Sequence, residues 1–190
     1  MYEIRLHGRG GQGTVLAATI LAAAIIEEGK FAVAIPSFGF ERRGAPVGAF
    51  VRADERQIRR MTNITCPDCV VCIDPTVARS VDIFAGLKPA GTLVQTTARS
   101  LHDLDLPDSV GTVGLIDAVR IALEIFRRPI TNTLMLGGFA RTTGMVSLDA
   151  LKQALADSDL RDANREQNMT ALERGYAETE VHLLGKRVAA

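Results

Sequence analysis

The sequence predicts an α/β fold: a Rossmann-like, mostly parallel sheet flanked by helices, with further helices at the C-terminal end. Three observations carry this. Short apolar strands alternate with helical stretches over the first two-thirds of the chain, the pattern of successive βαβ units. The first strand runs straight into a glycine cluster that opens a helix. The last third holds three more segments with helical character.

Tyr2 to His7 reads as the first strand, ending at the glycines of "GRGGQG". Thr14 to Glu28 is the first helix, and Gly29 suits a left-handed C-terminal cap. Its apolar residues cover nearly every face, so it should be buried on more than one side. Phe31 to Ile35 is a second strand, followed by the loop "PSFGFERRGAP". Val47 to Arg52 is a strand antiparallel to a neighbour. "DCVVCID" is an apolar strand, and Pro75 starts a helix that should reach about Phe84. "GTLVQTT" is another strand, "SLHDLDLPDSV" a polar connection, and Val110 to Leu115 the last strand. Helices follow over Asp117 to Phe126, Asn132 to Ala140, Ser147 to Ala156 and Arg165 to about Leu183. The last places Met169, Leu172 and Tyr176 on one face.

The 190 residues are read as a single domain, residues 1–190, long enough for a self-sufficient core. There are 22 basic and 22 acidic side chains, a formal net charge of +0. This gives no long-range attraction to nucleic acid or to an anionic membrane. With 47% apolar residues and no net repulsion, a subunit of a larger assembly is expected. The opening "MYEIRL" reads as a strand without the basic and apolar regions of a leader. The longest apolar run, Val15 to Ile26, is too short to span a bilayer. Three cysteines clustered in one segment do not form a secreted disulfide framework. A cytoplasmic location is expected.

Gly8, Gly10 and Gly13 satisfy G-x-G-x-x-G. A strand that runs through glycines into a helix N-terminus presents unpaired N–H groups and favours an anion. A dinucleotide site also needs an acidic residue at the end of the second strand. That strand ends at Ile35, Pro36 and Ser37; Glu27 and Glu28 sit at the end of the helix instead. Ser37 with Arg42 or Arg43 would serve a 2′-phosphate, so the glycines alone leave a nucleotide site and a structural turn both open. Both loops follow strands and should share one edge of the sheet.

The motifs resemble the gamma subunit of the 2-oxoacid:acceptor (pyruvate:ferredoxin-type) oxidoreductases, the pyruvate/ketoisovalerate oxidoreductase catalytic domain. "GRGGQG" matches the family's opening motif. "SFGFERRGAPVGAFVRADERQI" keeps its Glu-x-Arg-Gly pattern in Glu41, Arg43 and Gly44. "CPDCVVCID" matches an Asp followed by an apolar strand. "NTLMLGGFARTTGMVSLDALKQAL" contributes Asn132, Leu136 and Gly137, and "NMTALERGYA" contributes Asn168, Ala171 and Gly175. The resemblance covers nearly the whole chain in order. One departure is Ala45-Pro46 in place of a second glycine, which stiffens that loop.

The resemblance implies oxidative decarboxylation of a 2-oxoacid, such as pyruvate, 2-oxoglutarate or phenylglyoxylate, to an acyl-CoA. It implies thiamine diphosphate with magnesium, [4Fe–4S] clusters and coenzyme A in the assembled complex, none held tightly by this chain alone. Partners would be alpha and beta subunits and a ferredoxin-like delta subunit. No catalytic nucleophile and no metal ligand is expected here. The residues expected to face CoA or the partner subunits are Gly8, Arg9, Gly10, Gly11, Gln12, Gly13, Phe38, Glu41, Arg42, Arg43, Gly44 and Asn132. Forked, charge-assisted contacts suit the arginines. An intrachain ion pair that shapes the loop is the plainer reading of Glu41 and Arg43.

"CPDCVVC" carries C-x-x-C-x-x-C, but the chain has no fourth cysteine. On a strand Cys69 and Cys72 point to opposite faces and cannot wrap a cluster. They read as buried small hydrophobes. His7, beside the glycine loop, reads as a packing or capping residue, and "ADERQIRR" as a solvated turn. The alternatives are a stand-alone NAD(P)-binding dehydrogenase and a non-catalytic nucleotide-binding module.

Overall fold

The structure, a computed structural model, describes residues 1–36, 44–158 and 165–184. Its strands are β1 (Tyr2–Arg9), β2 (Phe31–Pro36), β3 (Pro46–Asp54), β4 (Cys69–Cys72), β5 (Gly91–Thr96), β6 (Val110–Ile116) and β7 (Glu180–Leu183). The helices are α1 (Thr14–Glu27), α2 (Ala118–Phe126), α3 (Asn132–Thr143), α4 (Leu148–Ala156) and α5 (Arg165–Glu178). All seven strands form one sheet in the order β2-β3-β1-β4-β5-β6-β7. The centre, β1-β4-β5-β6, is parallel, as the alternating pattern predicts. β3 is antiparallel to both β1 and β2, and β7 is antiparallel to β6, so both flanks are antiparallel.

Strand alternation divides the core between the two faces. Ile4 and Leu6 of β1, Ala49 and Val51 of β3, and Cys69 and Val71 of β4 meet the helical layer on one face. Val70 and Cys72 of β4, with Leu93, Val113 and Leu115, meet Val77, Ile83 and Leu87 on the other. Helix α1 is buried on several sides, packing on the sheet and on α4 and α3. Helices α3 and α5 cross in backbone contact. A Cβ at Gly137 would lie 2.2 Å from the Leu172 carbonyl oxygen, and one at Gly175 2.1 Å from that of Leu134. Leu172 is buried, with Met169 and Tyr176 packed beside the same core.

Two expected helices are shorter. Beyond Pro75, only the tight turn Pro75–Arg79 forms. The Asp82 carboxylate accepts from the Phe84 amide, which offers that backbone a non-helical arrangement. Arg5 Nη2 donates to the Ile83 and Ala85 carbonyls at 2.9 and 2.7 Å, consuming acceptors a helix would use. The final helix stops at Glu178, and Glu180–Leu183 joins the sheet as β7, so Val110–Ile116 is not the last strand. The β7 pairing with β6 outweighs the propensity of a short segment. Among the described residues, no helix is long and apolar enough to cross a membrane.

Candidate functional site

The chain leaves β1 towards β2 on one side of the sheet and leaves β4 towards β5 on the other. The carboxyl ends of β1 and β4 therefore flank the switch in strand order where α/β sheets bind ligands. Strand β2 runs parallel to β1, because both are antiparallel to β3. The glycine loop and the end of β2 thus share this edge, and Gly44 and Ala45 before β3 lie against the glycine loop. Their contact is direct: Gly44 N–H donates to the Gly10 carbonyl at 3.1 Å, and Gly10 N–H to that of Ala45 at 2.9 Å. The Gly10 amide is therefore already used within the chain. Phe38, Glu41, Arg42 and Arg43, with Ser37 and Phe40, lie outside the described residues.

Arg9 and Gln12 stitch this loop to β4. Gln12 Oε1 accepts from the Arg9 amide at 2.7 Å, while Gln12 Nε2 donates to Asp74 Oδ2 at 2.6 Å. Arg9 donates from Nε to Thr76 Oγ1, from Nη2 to the Thr76 carbonyl and from Nη1 to the Gly44 carbonyl. Three of the five N–H groups of its fork are thus engaged. Asp74 also accepts from the Thr76 amide and hydroxyl, capping the turn that Pro75 opens. Burial works to raise the Asp74 carboxyl. The bonds from Thr76 and Gln12 and the nearby Arg9 charge outweigh it and hold it below its ordinary value. Asp74 and Thr76 were not singled out in the sequence. The legible signal was a strand ending in Asp-Pro-Thr, an N-cap followed by Pro at the first position.

Gly13 sits at φ +74°, and a Cβ there would come 2.4 Å from Asn132 Nδ2. The loop thus brings Asn132, the first residue of α3, against the start of α1. Thr131 beside it donates from Oγ1 to the Ile73 carbonyl at the end of β4. Among the described residues, no side chain caps α1 or α3, and the buried Thr14 Oγ1 and Asn132 Oδ1 have no hydrogen-bond partner. Buried polar atoms are almost always paired, and these two unpaired atoms lie at adjoining helix starts.

His7 lies near the end of β1, 7% exposed, with Nε2 unpartnered among the described residues. Burial, then the Arg5 charge, pushes its imidazole down to about 4, with Asp82 opposing. It is neutral at pH 7 and buried in β1 beside Arg5. Cys69 and Cys72 face opposite core layers, as the strand period requires. Burial raises both thiols, that of Cys72 to about 12, which disfavours the thiolate that a metal needs. Among the described residues, no group of three His, Cys, Asp or Glu converges to hold a metal ion.

A dinucleotide fold places its second strand beside the first, so that an acid there reaches the ribose. Here β3 stands between β2 and β1, and Arg9 is paired with Pro46. The geometry does not favour the NAD(P) dehydrogenase reading.

Residues 3–178 match the family described as pyruvate ferredoxin/flavodoxin oxidoreductase. The chain belongs to this family. Among family members, it is 68% identical to the NADH-dependent phenylglyoxylate dehydrogenase subunit gamma of Aromatoleum evansii, over 100% of both chains. It is 46% identical to the pyruvate/ketoisovalerate oxidoreductases common subunit gamma of Thermococcus kodakarensis, covering 97% of this chain and 100% of that one. The crystal structure of the pyruvate oxidoreductase subunit PORC from Thermotoga maritima superposes with a TM-score of 0.80 at 37% identity, covering 95% of this chain and 97% of that one. The chain is thus of the gamma-subunit type of the 2-oxoacid oxidoreductases.

Proposed function

We propose that this chain is the gamma subunit of a phenylglyoxylate-oxidising complex, working in the cytoplasm with alpha, beta and ferredoxin-like delta subunits. The observation that carries the reading is the 68% identity, end to end, with the phenylglyoxylate dehydrogenase subunit. The reaction converts phenylglyoxylate and coenzyme A to benzoyl-CoA and CO2, releasing two electrons and one proton. The bond between the two carbonyl carbons breaks, a thioester forms, and NAD+ is the proposed final acceptor. Thiamine diphosphate, with magnesium, and [4Fe–4S] clusters supply the carbon and electron chemistry. Cys69 and Cys72 are buried on opposite faces of the sheet, and the reading assigns the clusters, the thiamine diphosphate and the magnesium to the partner subunits.

This chain's part is to present the edge built by Gly8–Gly13, Phe38–Gly44 and Asn132 to CoA and the partner subunits. The uncapped start of α1 favours phosphate, and Thr14 Oγ1 and Asn132 Oδ1 offer unused polar atoms beside it. Arg9 braces the loop against Thr76, while Arg42 and Arg43 are assigned to phosphate or to a partner carboxylate. Glu41 is assigned to Arg43 or to an arginine across the interface.

The test is purification on a tagged copy of this chain, followed by assay on a panel of 2-oxoacids with CoA. Larger partner subunits and a preference for phenylglyoxylate over pyruvate and 2-oxoglutarate are expected. Purification alone, or preference for pyruvate, overturns the reading. Within the complex, Arg43→Ala should raise KM for CoA or weaken subunit association. If both stay normal, the loop assignment fails.

A further inference from the structure

The sheet has two outer strands, β2 and β7, and β7 is bordered by an unusual surface. Leu184 N–H donates to the Gly111 carbonyl at 2.9 Å. The antiparallel register then pairs His182 with Val113 and Glu180 with Leu115. Bonding alternates along such a strand, so the N–H and C=O groups of Val181 and Leu183 point away from β6. Among the described residues, no strand lies on that side. The same two residues expose apolar side chains, Leu183 at 82% and Val181 at 39%. Natural edges are blunted by short length, charged side chains, Pro or a bulge. β7 is short and carries one charge, Glu180, but it has neither Lys nor Pro, and its register is regular.

Two grooves track this strand. One, of about 530 Å³, reaches Glu180 and His182; the other, of about 840 Å³, reaches Leu183 and Leu184. They share Leu101 and His102, so the depression is elongated and follows β7. Leu104 and Leu106 make the larger groove apolar, and Asp105 and Asp108 add exposed carboxylates to it. Neither Asp has an ion pair or hydrogen bond among the described residues. Of the cations in the smaller groove, Arg120 is tied to Glu124 and Glu178, leaving Arg99 as the opposing charge. An elongated trough of leucines and charged side chains beside an open edge suits an extended peptide, with backbone bonds for affinity and side-chain pockets for specificity.

We infer that β7 takes an extended segment of a partner subunit as an eighth strand. That segment sets apolar side chains on Leu104 and Leu106 and a Lys or Arg against Asp105 and Asp108. The inference rests on the chain being a subunit of a larger complex.

Hydrogen exchange on the purified complex tests it, with the β2 amides as internal reference. The amides of Val181 and Leu183 should exchange at least tenfold more slowly in the complex than in the separately purified full chain. The Asp105→Lys/Asp108→Lys complex should lose that protection at β7 while β2 is unchanged. Equal exchange in complex and free chain overturns the inference. So does protection already present in the free chain that disappears on deletion of residues 185–190, or that depends on its concentration. Those outcomes assign the edge to the chain's own end or to a second copy. Failure to recover any partner subunit overturns the functional reading instead, so the two failures are distinct.

Discussion

The side-chain amide of Gln12 donates to Asp74 Oδ2 at 2.6 Å, joining the glycine loop to the end of β4 across the switch in strand order. The same Gln12 accepts from the Arg9 amide, so one side chain closes the turn and anchors it. The Arg9, Gly10 and Gln12 amides are spent on bonds within the chain, and the Gln12–Asp74 bond fixes the turn they close over the start of α1. Gln12→Ala and Asp74→Ala should each destabilise the chain by ~1–2 kcal/mol, with Asp74→Ala the larger because it also removes a cap. The double variant should fall short of the sum, with a coupling of ~1 kcal/mol measured by urea unfolding. Strict additivity would show that the bond contributes nothing.

Thr14 Oγ1 is buried without a hydrogen-bond partner among the described residues, at the helix start proposed to meet CoA. It stacks on the glycine loop, where a Cβ at Gly8 would meet it at 2.2 Å. A buried hydroxyl without a partner costs free energy, so Thr14→Val should stabilise the isolated chain by ~1 kcal/mol. In the assembled complex, the same change should raise KM for CoA severalfold with kcat little altered. Destabilisation of the isolated chain by Thr14→Val would show that the hydroxyl is already satisfied there.

Much of this was legible in the sequence. Strand, glycines and helix follow one another within residues 2–27, so local rules sufficed to place Gly8–Gly13 at a helix start. The odd spacing of Cys69 and Cys72 decided their opposite faces. Other features depend on partners far along the chain. Asp74 meets Gln12 across 62 residues, and nothing local marks that contact. The insertion of β3 between β1 and β2 is a choice of topology, invisible to periodicity. β7 is four residues long and continues a helical pattern, so only its pairing with β6 reveals it.

Arg52 was hidden for a related reason, since a charged residue in "FVRADE" reads as exposed. It is 1% exposed. Its Nε donates to Glu3 Oε1 at 2.9 Å, and Nη1 to the Thr62 and Arg60 carbonyls at 2.6 and 3.2 Å. The side chain thereby pins the exposed turn after β3 to the sheet. Arg52→Met should destabilise the chain by ~3 kcal/mol, because it strands Glu3 and two carbonyls. Lys88, 3.6 Å from Glu3 Oε2, limits the loss. Adding Glu3→Gln should recover part of it, and limited proteolysis should cut residues 55–63 faster in Arg52→Met. An unchanged urea midpoint would remove Arg52 from the framework.

His7 makes the chain's stability depend on pH above the range where carboxylates titrate. Burial, then Arg5, lowers its imidazole to about 4 in the folded chain, with Asp82 opposing, against ~6.5 when unfolded. Between those values the unfolded chain binds more protons, so stability falls as pH falls. The contribution is complete above about pH 6.5 and is lost progressively towards pH 4, reaching ~3 kcal/mol. Carboxylates held low by their partners, Asp74 and Glu28, weaken the fold only at lower pH, below their ordinary values, where the unfolded chain binds protons that the folded chain does not. His7→Gln should therefore flatten the decline in urea midpoint between pH 7 and pH 5 while leaving the acid limb below pH 4 in place. A variant whose midpoint declines as steeply as the parent over pH 7 to 5 would show that His7 is protonated in the folded chain.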